Sequence, residues 1–249
     1  MDKVKLEEMT WPKIEEALAR GKRTVIVPVG SLEQHGPHLP TGTDTFAGDV
    51  LGEKVAEALG DALVASTIRP GCSRHHMDFP GTITLTPETL MQTIKEVCRS
   101  LAAHGFQNIV LVPTQGGNFA PVNAVAPEIA RELKGINIVA IANLEELITK
   151  MAEAMQEFNV SFEEAGAHSG ASETSLIIAY KPELVNTGEF KKGYMGKFTS
   201  SALMSKGLKA LSPIGVLGDP RKASREAGLK MIDKLASYYA QKIRDELRK

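Results

Sequence analysis

Short runs of β-branched and aliphatic residues alternate along this chain with longer segments of helical periodicity. The predicted strands are 24–29, 62–68, 108–113 and 136–142. The predicted helices are 10–21, 44–59, 87–104, 119–133 and 144–158. Alternation of this kind is typical of a parallel sheet with helices on both faces. The sequence therefore predicts an α/β fold, a three-layer α/β/α sandwich with a mainly parallel sheet.

The 249 residues fit one large α/β domain or two small ones, and we predict one domain over 1–249. Residues 186–211 are only weakly periodic, which indicates an excursion from the core or a surface for subunit contact. A turn at 218–220 is followed by a long amphipathic helix to the end of the chain. Trp11, the single tryptophan, is expected to be a packing anchor.

Acidic and imidazole groups are concentrated in the segment VPVGSLEQHGPHLPTGTD, residues 27–44, directly after the first predicted strand. Glu33 and His35 are two residues apart, so both side chains leave an extended backbone on the same face. The glycines and prolines around them prevent a helix. Carboxylate and imidazole together suit Zn, Mn or Fe. Two other interpretations remain open: Asp44 as the N-cap of the next helix, and the histidines as polar loop residues.

Three polar loops follow predicted strands, after residues 29, 68 and 112. Ligands of parallel sheets bind at the carboxyl ends of the strands, so these loops are expected to meet there. The second loop carries His76 within HHMDFPGT, and the third carries Gly117 and Asn118 within TQGGN. We predict substrate contacts by these three residues, although a loop histidine is more often structural and an isolated GGN is a weak signal.

His168 and Glu173 form a second group, in the segment HSGASETS. The histidine is predicted just before a helix and the glutamate in its first turn, where the helix dipole favours a carboxylate. The alternative is a capping serine with a dipole-complementing glutamate and no chemistry.

Composition excludes several classes of partner. Lys+Arg 29 against Asp+Glu 30 leaves a net charge of -1, with no basic excess for nucleic acid. The apolar runs are too short to cross a bilayer, and the first residues lack a signal-peptide core. Two cysteines cannot form a disulfide framework. We therefore expect a cytoplasmic protein with a small-molecule substrate and no nucleic-acid or membrane partner.

The blocks SLEQHGPHLP with the following TD, HHMDFPGT, GGN, HSGASETS and GDP together resemble the creatininase (creatinine amidohydrolase) family. They extend over nearly the whole chain. The resemblance implies a homo-oligomer, commonly a hexamer, with one or two divalent ions per subunit. It implies metal binding by Glu33, His35 and Asp44, with Asp44 as the bridge. It also implies that His168 is the proton shuttle and Glu173 a metal-side or water-orienting carboxylate, so that both are catalytic.

Two positions depart from the family pattern. Gln115 stands where many members have a ligand histidine, and Gly117 stands where the creatininases proper have a glutamate. An amide oxygen binds Mg or Ca better than Zn, so Gln115 is a doubtful metal ligand. Glu173 is the candidate to complete the metal site instead. Creatinine itself is therefore not the predicted substrate.

The predicted function is metal-dependent hydrolysis of a non-peptide C–N bond in a cyclic amide or formamide. Two alternatives remain open. One is a catalytically impaired member of the family that binds metal or a small molecule, which Gln115 motivates. The other is a metal-dependent isomerase or lyase on the same scaffold. The impaired member would bind metal or a ligand but turn over no amide. The isomerase or lyase would turn over its substrate without incorporating water into the product.

Overall fold

The structure is a computed structural model that describes residues 3–248. Its sheet contains the strands β1 (Thr24–Val29), β2 (Ala62–Val64), β3 (Asn108–Pro113) and β4 (Asn137–Ala140). The strand order is β2-β1-β3-β4, and every pairing is parallel. The predicted parallel sheet is confirmed, and β1 and β3 have the predicted bounds because their β-branched runs are buried throughout.

Strand β2 is shorter than the predicted 62–68, and the reason lies in β1. The carbonyl of Ile26 accepts from Ala65 N, so the next donor from β1 to β2 would be residue 28. Pro28 has no N–H, and the regular ladder ends there. The chain meets β1 again only at an isolated bridge between Val29 and Ile68. Strand β4 is likewise shorter than predicted.

Helices cover both faces of the sheet. They are α1 (Trp11–Ala19), α2 (Thr43–Leu59), α3 (Pro87–Ala103), α4 (Phe119–Glu132), α5 (Leu144–Gln156), α6 (Phe162–Ala165), α7 (Ala171–Tyr180), α8 (Ser200–Lys206) and α9 (Arg225–Leu247). Alternate residues of β1 and β3 feed two hydrophobic clusters, as the two-residue period of a strand requires. Helices α2, α5, α7 and α9 pack in one cluster, and α3 with most of α4 packs in the other. The predicted three layers are therefore present.

Helix α9 fixes the position of α7, which carries Glu173. A Cβ on Gly228 would lie 2.0 Å from the carbonyl oxygen of Ser175, so only glycine permits this close crossing. Ser224 caps α9 by accepting from Ala227 N, and the predicted long C-terminal helix is confirmed.

The interpretation of Trp11 is wrong, because its side chain is 75% exposed. It opens α1 at the surface, whereas Ala17 and Leu18 are the residues of that helix that pack on the core. Residues 186–211 contain α8 and short 3-10 turns in otherwise irregular structure, in agreement with their weak periodicity. None of the helices in residues 3–248 has the length and apolarity of a membrane-spanning segment.

Candidate metal centre

Six segments bring the polar groups of the site together at the carboxyl edge of the sheet. The loop after β1 carries Glu33 and His35, and the first turns of α2 and α7 carry Asp44 and Glu173. The loops after β2 and β3 supply the remaining polar groups, and His168 comes from the segment before α7. The strand order makes this meeting possible, because β2, β1 and β3 are neighbours.

His35, Asp44 and Glu173 form one potential ligand set, with their donor atoms all within 4.8 Å of one another. His35 Nδ1 lies 3.0 Å from the backbone oxygen of Glu33. A carbonyl can only accept, so Nδ1 carries the proton and Nε2 carries the lone pair of the neutral ring. That Nε2 lies 3.3 Å from Asp44 Oδ1 and 3.8 Å from Glu173 Oε2. It has no hydrogen-bond partner among the described residues.

Three acceptor atoms therefore face one another in a buried site, and a cation between them would relieve the repulsion. In the metal-free protein that cation is a proton. Burial alone would lower the pKa of His35, but Asp44 and then Glu173 raise it to about 10. Burial raises the pKa of the Glu173 carboxyl to about 7, although protonated His35 opposes this shift. One nitrogen and two carboxylate oxygens are also a donor set that fits Zn, Mn or Fe.

Asp44 is oriented by its neighbour Ser31. The Ser31 hydroxyl donates to Asp44 Oδ2 at 2.6 Å, which leaves Oδ1 toward His35. Gly42 occupies the N-cap of α2, and Asp44 lies inside the first turn. The capping interpretation of Asp44 is therefore wrong.

Glu33 is held at both carboxylate oxygens. Gln115 Nε2 donates to its Oε2 at 2.8 Å, and His76 Nε2 lies 3.2 Å from its Oε1. Burial raises the pKa of the Glu33 carboxyl well above its usual range, and the charge of Asp44 adds to this. The amide oxygen of Gln115 is buried and has no partner among the described residues. The Gln115 amide oxygen is thus an acceptor beside Glu33 that is available to a ligand.

Gln34 sets the proton positions on two histidines. Its Oε1 accepts from Gly36 N at 2.8 Å, which fixes the orientation of the amide. Its Nε2 must then donate, and it lies 3.0 Å from His76 Nδ1 and 3.2 Å from the oxygen of Gly215. His76 therefore accepts at Nδ1 and donates from Nε2 to Glu33.

His168 Nε2 lies 2.9 Å from the backbone oxygen of Gln34 and 3.0 Å from the side-chain Nε2 of the same residue. The two hydrogens of that Nε2 go to His76 Nδ1 and the oxygen of Gly215, so His168 Nε2 donates to the backbone oxygen. Donation to this oxygen leaves the lone pair on Nδ1, which lies 3.8 Å from Glu33 Oε1 and forms a potential ligand set with Glu33 and His35. Burial, followed by the charge of His35, lowers the pKa of His168 well below its usual range. The neutral ring thus presents a proton acceptor to the site.

Sequence reasoning missed Ser31, Gln34 and His75. His75 is buried, its ring centroid lies 4.2 Å from that of His76, and it forms a third potential ligand set with Glu33 and His76. Its only signal was adjacency to His76. His38, although part of the same motif, is outside these sets and lies 2.9 Å from the Thr174 hydroxyl.

The GGN segment ties the three loops together. The Asn118 side chain accepts from Cys72 N at 2.8 Å and donates to the oxygens of Val29 and Gly30. A Cβ on Gly117 would lie 2.0 Å from the oxygen of Cys72. Neither residue lines the cavity that opens onto the acidic and imidazole groups. Substrate binding by Gly117 and Asn118 stays a prediction, and their packing between the loops does not favour it. His76, the third residue of that prediction, lines the cavity.

A cavity of about 410 Å³ opens onto this cluster. It is bounded by Glu33, Asp44, His75, His76, Gln115, His168 and Glu173 at one end, and by side chains of α2, α4, α5, α7, α8 and α9 elsewhere. A volume of this size is typical of small-molecule sites.

Comparison with known proteins gives consistent results. The family profile described as creatininase (creatinine amidohydrolase) matches residues 7–243. The mycofactocin precursor peptide peptidase of Mycolicibacterium smegmatis is 33% identical over 227 residues, covering 88% of this chain and 84% of that protein. The creatinine amidohydrolase of Pseudomonas putida is 28% identical over 251 residues, covering 96% and 95%. A solved structure described as "Creatininase Mn" superposes with a TM-score of 0.86 at 26% identity, covering 98% and 99%.

Proposed function

The chain belongs to the creatininase family of metal-dependent amidohydrolases, and from this premise we propose that it hydrolyses the C–N bond of a cyclic amide or formamide. The observation that carries the proposal is the buried, unpartnered His35 Nε2 between the carboxylates of Asp44 and Glu173. This arrangement is unfavourable without a cation and suits a divalent metal ion. Gln115 and Gly117 argue against creatinine itself as the substrate.

We assign one ion, Zn, Mn or Fe, to His35, Asp44 and Glu173. Glu173 replaces the carboxylate that Gly117 cannot supply, because a side chain at 117 would collide with the backbone of Cys72. A second and weaker ion would use Glu33, the free amide oxygen of Gln115 and Asp44 as the bridge. The single buried amide oxygen at 115 supports the weaker affinity, since it is a poorer donor to Zn or Mn than imidazole is.

A bound divalent ion would acidify a water molecule and polarise the amide carbonyl. The chain supplies the proton transfers and the orientation. His168 Nδ1 would take the proton that the attacking water loses and deliver it to the leaving nitrogen as the C–N bond breaks, while its Nε2 stays on the oxygen of Gln34. His76 and Gln115 hold the Glu33 carboxylate from both sides, and such support of a ligand carboxylate restricts its orientation.

Hydrolysis of an amide in a peptide is a second candidate reaction. The 33% identity to a peptide peptidase over most of both chains motivates it. The two reactions need the same groups at the metal end, so they differ in what the rest of the cavity accepts.

The remaining predictions concern the whole protein. We propose a single domain, because both hydrophobic clusters share the one sheet. We also propose a homo-oligomer, a hexamer by family resemblance, and the exposed apolar side chains of Met77, Ile83 and Met204 support a subunit contact. A cytoplasmic location is proposed because Cys72 and Cys98 are free thiols. Light scattering after gel filtration tests the oligomer, and a monomer at micromolar concentration would overturn it.

The experiment for the reaction is metal analysis of the purified protein followed by a panel of cyclic amides, formamides and short peptides in ¹⁸O-labelled water. The proposal predicts bound divalent metal and ¹⁸O in the acid product of a cyclic amide or formamide. Bound metal without turnover on any amide would favour a binding protein. Turnover without ¹⁸O in the product would favour an isomerase or lyase.

A further inference from the structure

The cavity beside the metal centre has a polar end and an apolar body. Apart from the amide of Gln115 and three hydroxyl residues, Thr43, Thr114 and Ser200, every polar side chain that lines it is acidic or an imidazole. The other side chains of the wall are aliphatic or aromatic. They come from α2, α4, α5, α7, α8 and α9 and from the segments beside these helices.

Helix α5 contributes the most regular part of this wall. Leu144, Leu147, Ile148 and Met151 follow the i, i+3, i+4, i+7 spacing of one helix face. Leu147 is buried in the core, but Leu144, Ile148 and Met151 are only partly buried. Their remaining accessible surface adjoins the cavity, so an apolar group bound there would remove it from water.

Charge restricts what the cavity can accept. The described residues that line it include no lysine or arginine, and its only formally charged groups are the carboxylates of the cluster and any protonated histidine. A substrate carboxylate or phosphate in the apolar body would be buried without a counter-ion, which is strongly unfavourable. The three hydroxyls are also too few to replace the hydration of a polyhydroxylated substrate.

The volume sets the size of the group. About 410 Å³ corresponds to roughly a dozen groups of the size of a water molecule or methylene, at about 30 Å³ each. A reacting amide takes three or four of these places at the polar end, so the body accepts an apolar substituent of roughly eight or nine heavy atoms.

We propose that the substrate is an amide with an uncharged, apolar substituent of this size, which occupies the cavity between α5, α8 and α9. This inference rests on the proposed amidohydrolase function and narrows its substrate class. It excludes substrates with a charged or polyhydroxylated group inside the cavity.

The test uses the metal-loaded protein and N-ethyl-, N-butyl- and N-hexylformamide, with binding measured by calorimetry and amine release measured separately. Each methylene that enters the cavity should tighten binding about fourfold, so the hexyl compound, with four more methylenes, should bind about 250-fold more tightly than the ethyl compound. N-formyl-6-aminohexanoate, which adds a terminal carboxylate to a chain of similar length, should lose this gain.

Ile148→Trp would fill part of the cavity and should flatten the dependence on chain length, whereas Leu184→Trp is the control because Leu184 is exposed and outside the cavity. If Ile148→Trp does not fold, the wild-type series decides alone.

Graded binding without amine release would support the inference and remove the proposed function. Amine release or binding that does not depend on chain length would overturn the inference, as would equal binding of the carboxylate compound. A partner subunit's side chain in the cavity would also give no dependence and overturn it.

Discussion

In the metal-free protein, the free energy of unfolding should fall as the pH rises from 7 to 8.5. The neighbouring carboxylates raise the pKa of His35 to about 10 in the metal-free fold, against 6.5 for the unfolded chain. In this window the folded state keeps a proton that the unfolded state has lost. A group with a raised pKa in the folded state stabilises below its unfolded pKa, and the contribution decreases as the pH rises toward the folded pKa.

The magnitude follows from one proton. The His35 proton alone should lower the free energy of unfolding by about 1.4 kcal/mol per pH unit, or about 2 kcal/mol over the window. Burial lowers the pKa values of His38 and His75 to about 4 and those of His76 and His168 well below their usual range, so these groups oppose the fall only at the low-pH end of the window. Burial also raises the pKa of Glu173 to about 7 and that of Glu33 well above its usual range, and both carboxyls act in the same direction as His35. Burial also raises the pKa values of Cys72 and Cys98 from 9.0, so their effect is small in the window and grows above it.

The assay is urea unfolding of the chelator-treated protein at pH 7.0 and 8.5, with His35→Asn as the control. The variant lacks the His35 proton, so the slope should fall by about 1.4 kcal/mol per pH unit and leave only what the carboxyls of Glu33 and Glu173 contribute. Metal-loaded protein should not lose stability over this window, because the ion binds deprotonated ligands more tightly as the pH rises. A metal-free wild type whose stability is constant or rises between pH 7.0 and 8.5 would refute the reasoning, and so would an unchanged slope in His35→Asn.

Three further predictions concern single residues. His168→Ala should lower kcat on the order of 100-fold and leave metal content unchanged, since a proton shuttle acts in the transition state; undiminished turnover would remove His168 from the mechanism. Gln115→His should increase the affinity for a second Zn or Mn ion about tenfold or more, because imidazole is the better donor to these ions. Unchanged stoichiometry and affinity in a metal titration would show that residue 115 does not bind the ion. Gly117→Ala should destabilise the fold by about 1–3 kcal/mol through the collision with Cys72; an unchanged urea midpoint would contradict this packing.

The predictable parts of the fold are those fixed by local sequence. Strand β1 has its predicted bounds, 24–29, because six consecutive buried positions give an unbroken apolar run. Strand β2 was predicted too long, since its length depends on a missing N–H at Pro28, in a different strand. Trp11 was misinterpreted because a tryptophan at the start of a short helix has no local signal that shows which face is covered.

The candidate site likewise has residues that the sequence predicted and residues that it could not predict. The family blocks and residue chemistry indicated Glu33, His35, Asp44, His168 and Glu173, and the fold brings all of them together. The role of Gln34 could not be read from the sequence, because its amide contacts His168 and Gly215, which are 134 and 181 residues away. The packing of Gly117 against Cys72, a residue of another loop, was also inaccessible to a local pattern.

The central claim is that His35, Asp44 and Glu173 together bind a divalent ion. The most direct measurement is the manganese content per subunit after chelation, reloading and gel filtration, for wild type, His35→Ala, Asp44→Ala and Glu173→Gln, with the exposed Glu163→Gln as control. The account predicts at least one ion per subunit in wild type and Glu163→Gln and a large loss in the other three variants. Full manganese content in His35→Ala, Asp44→Ala and Glu173→Gln would contradict it.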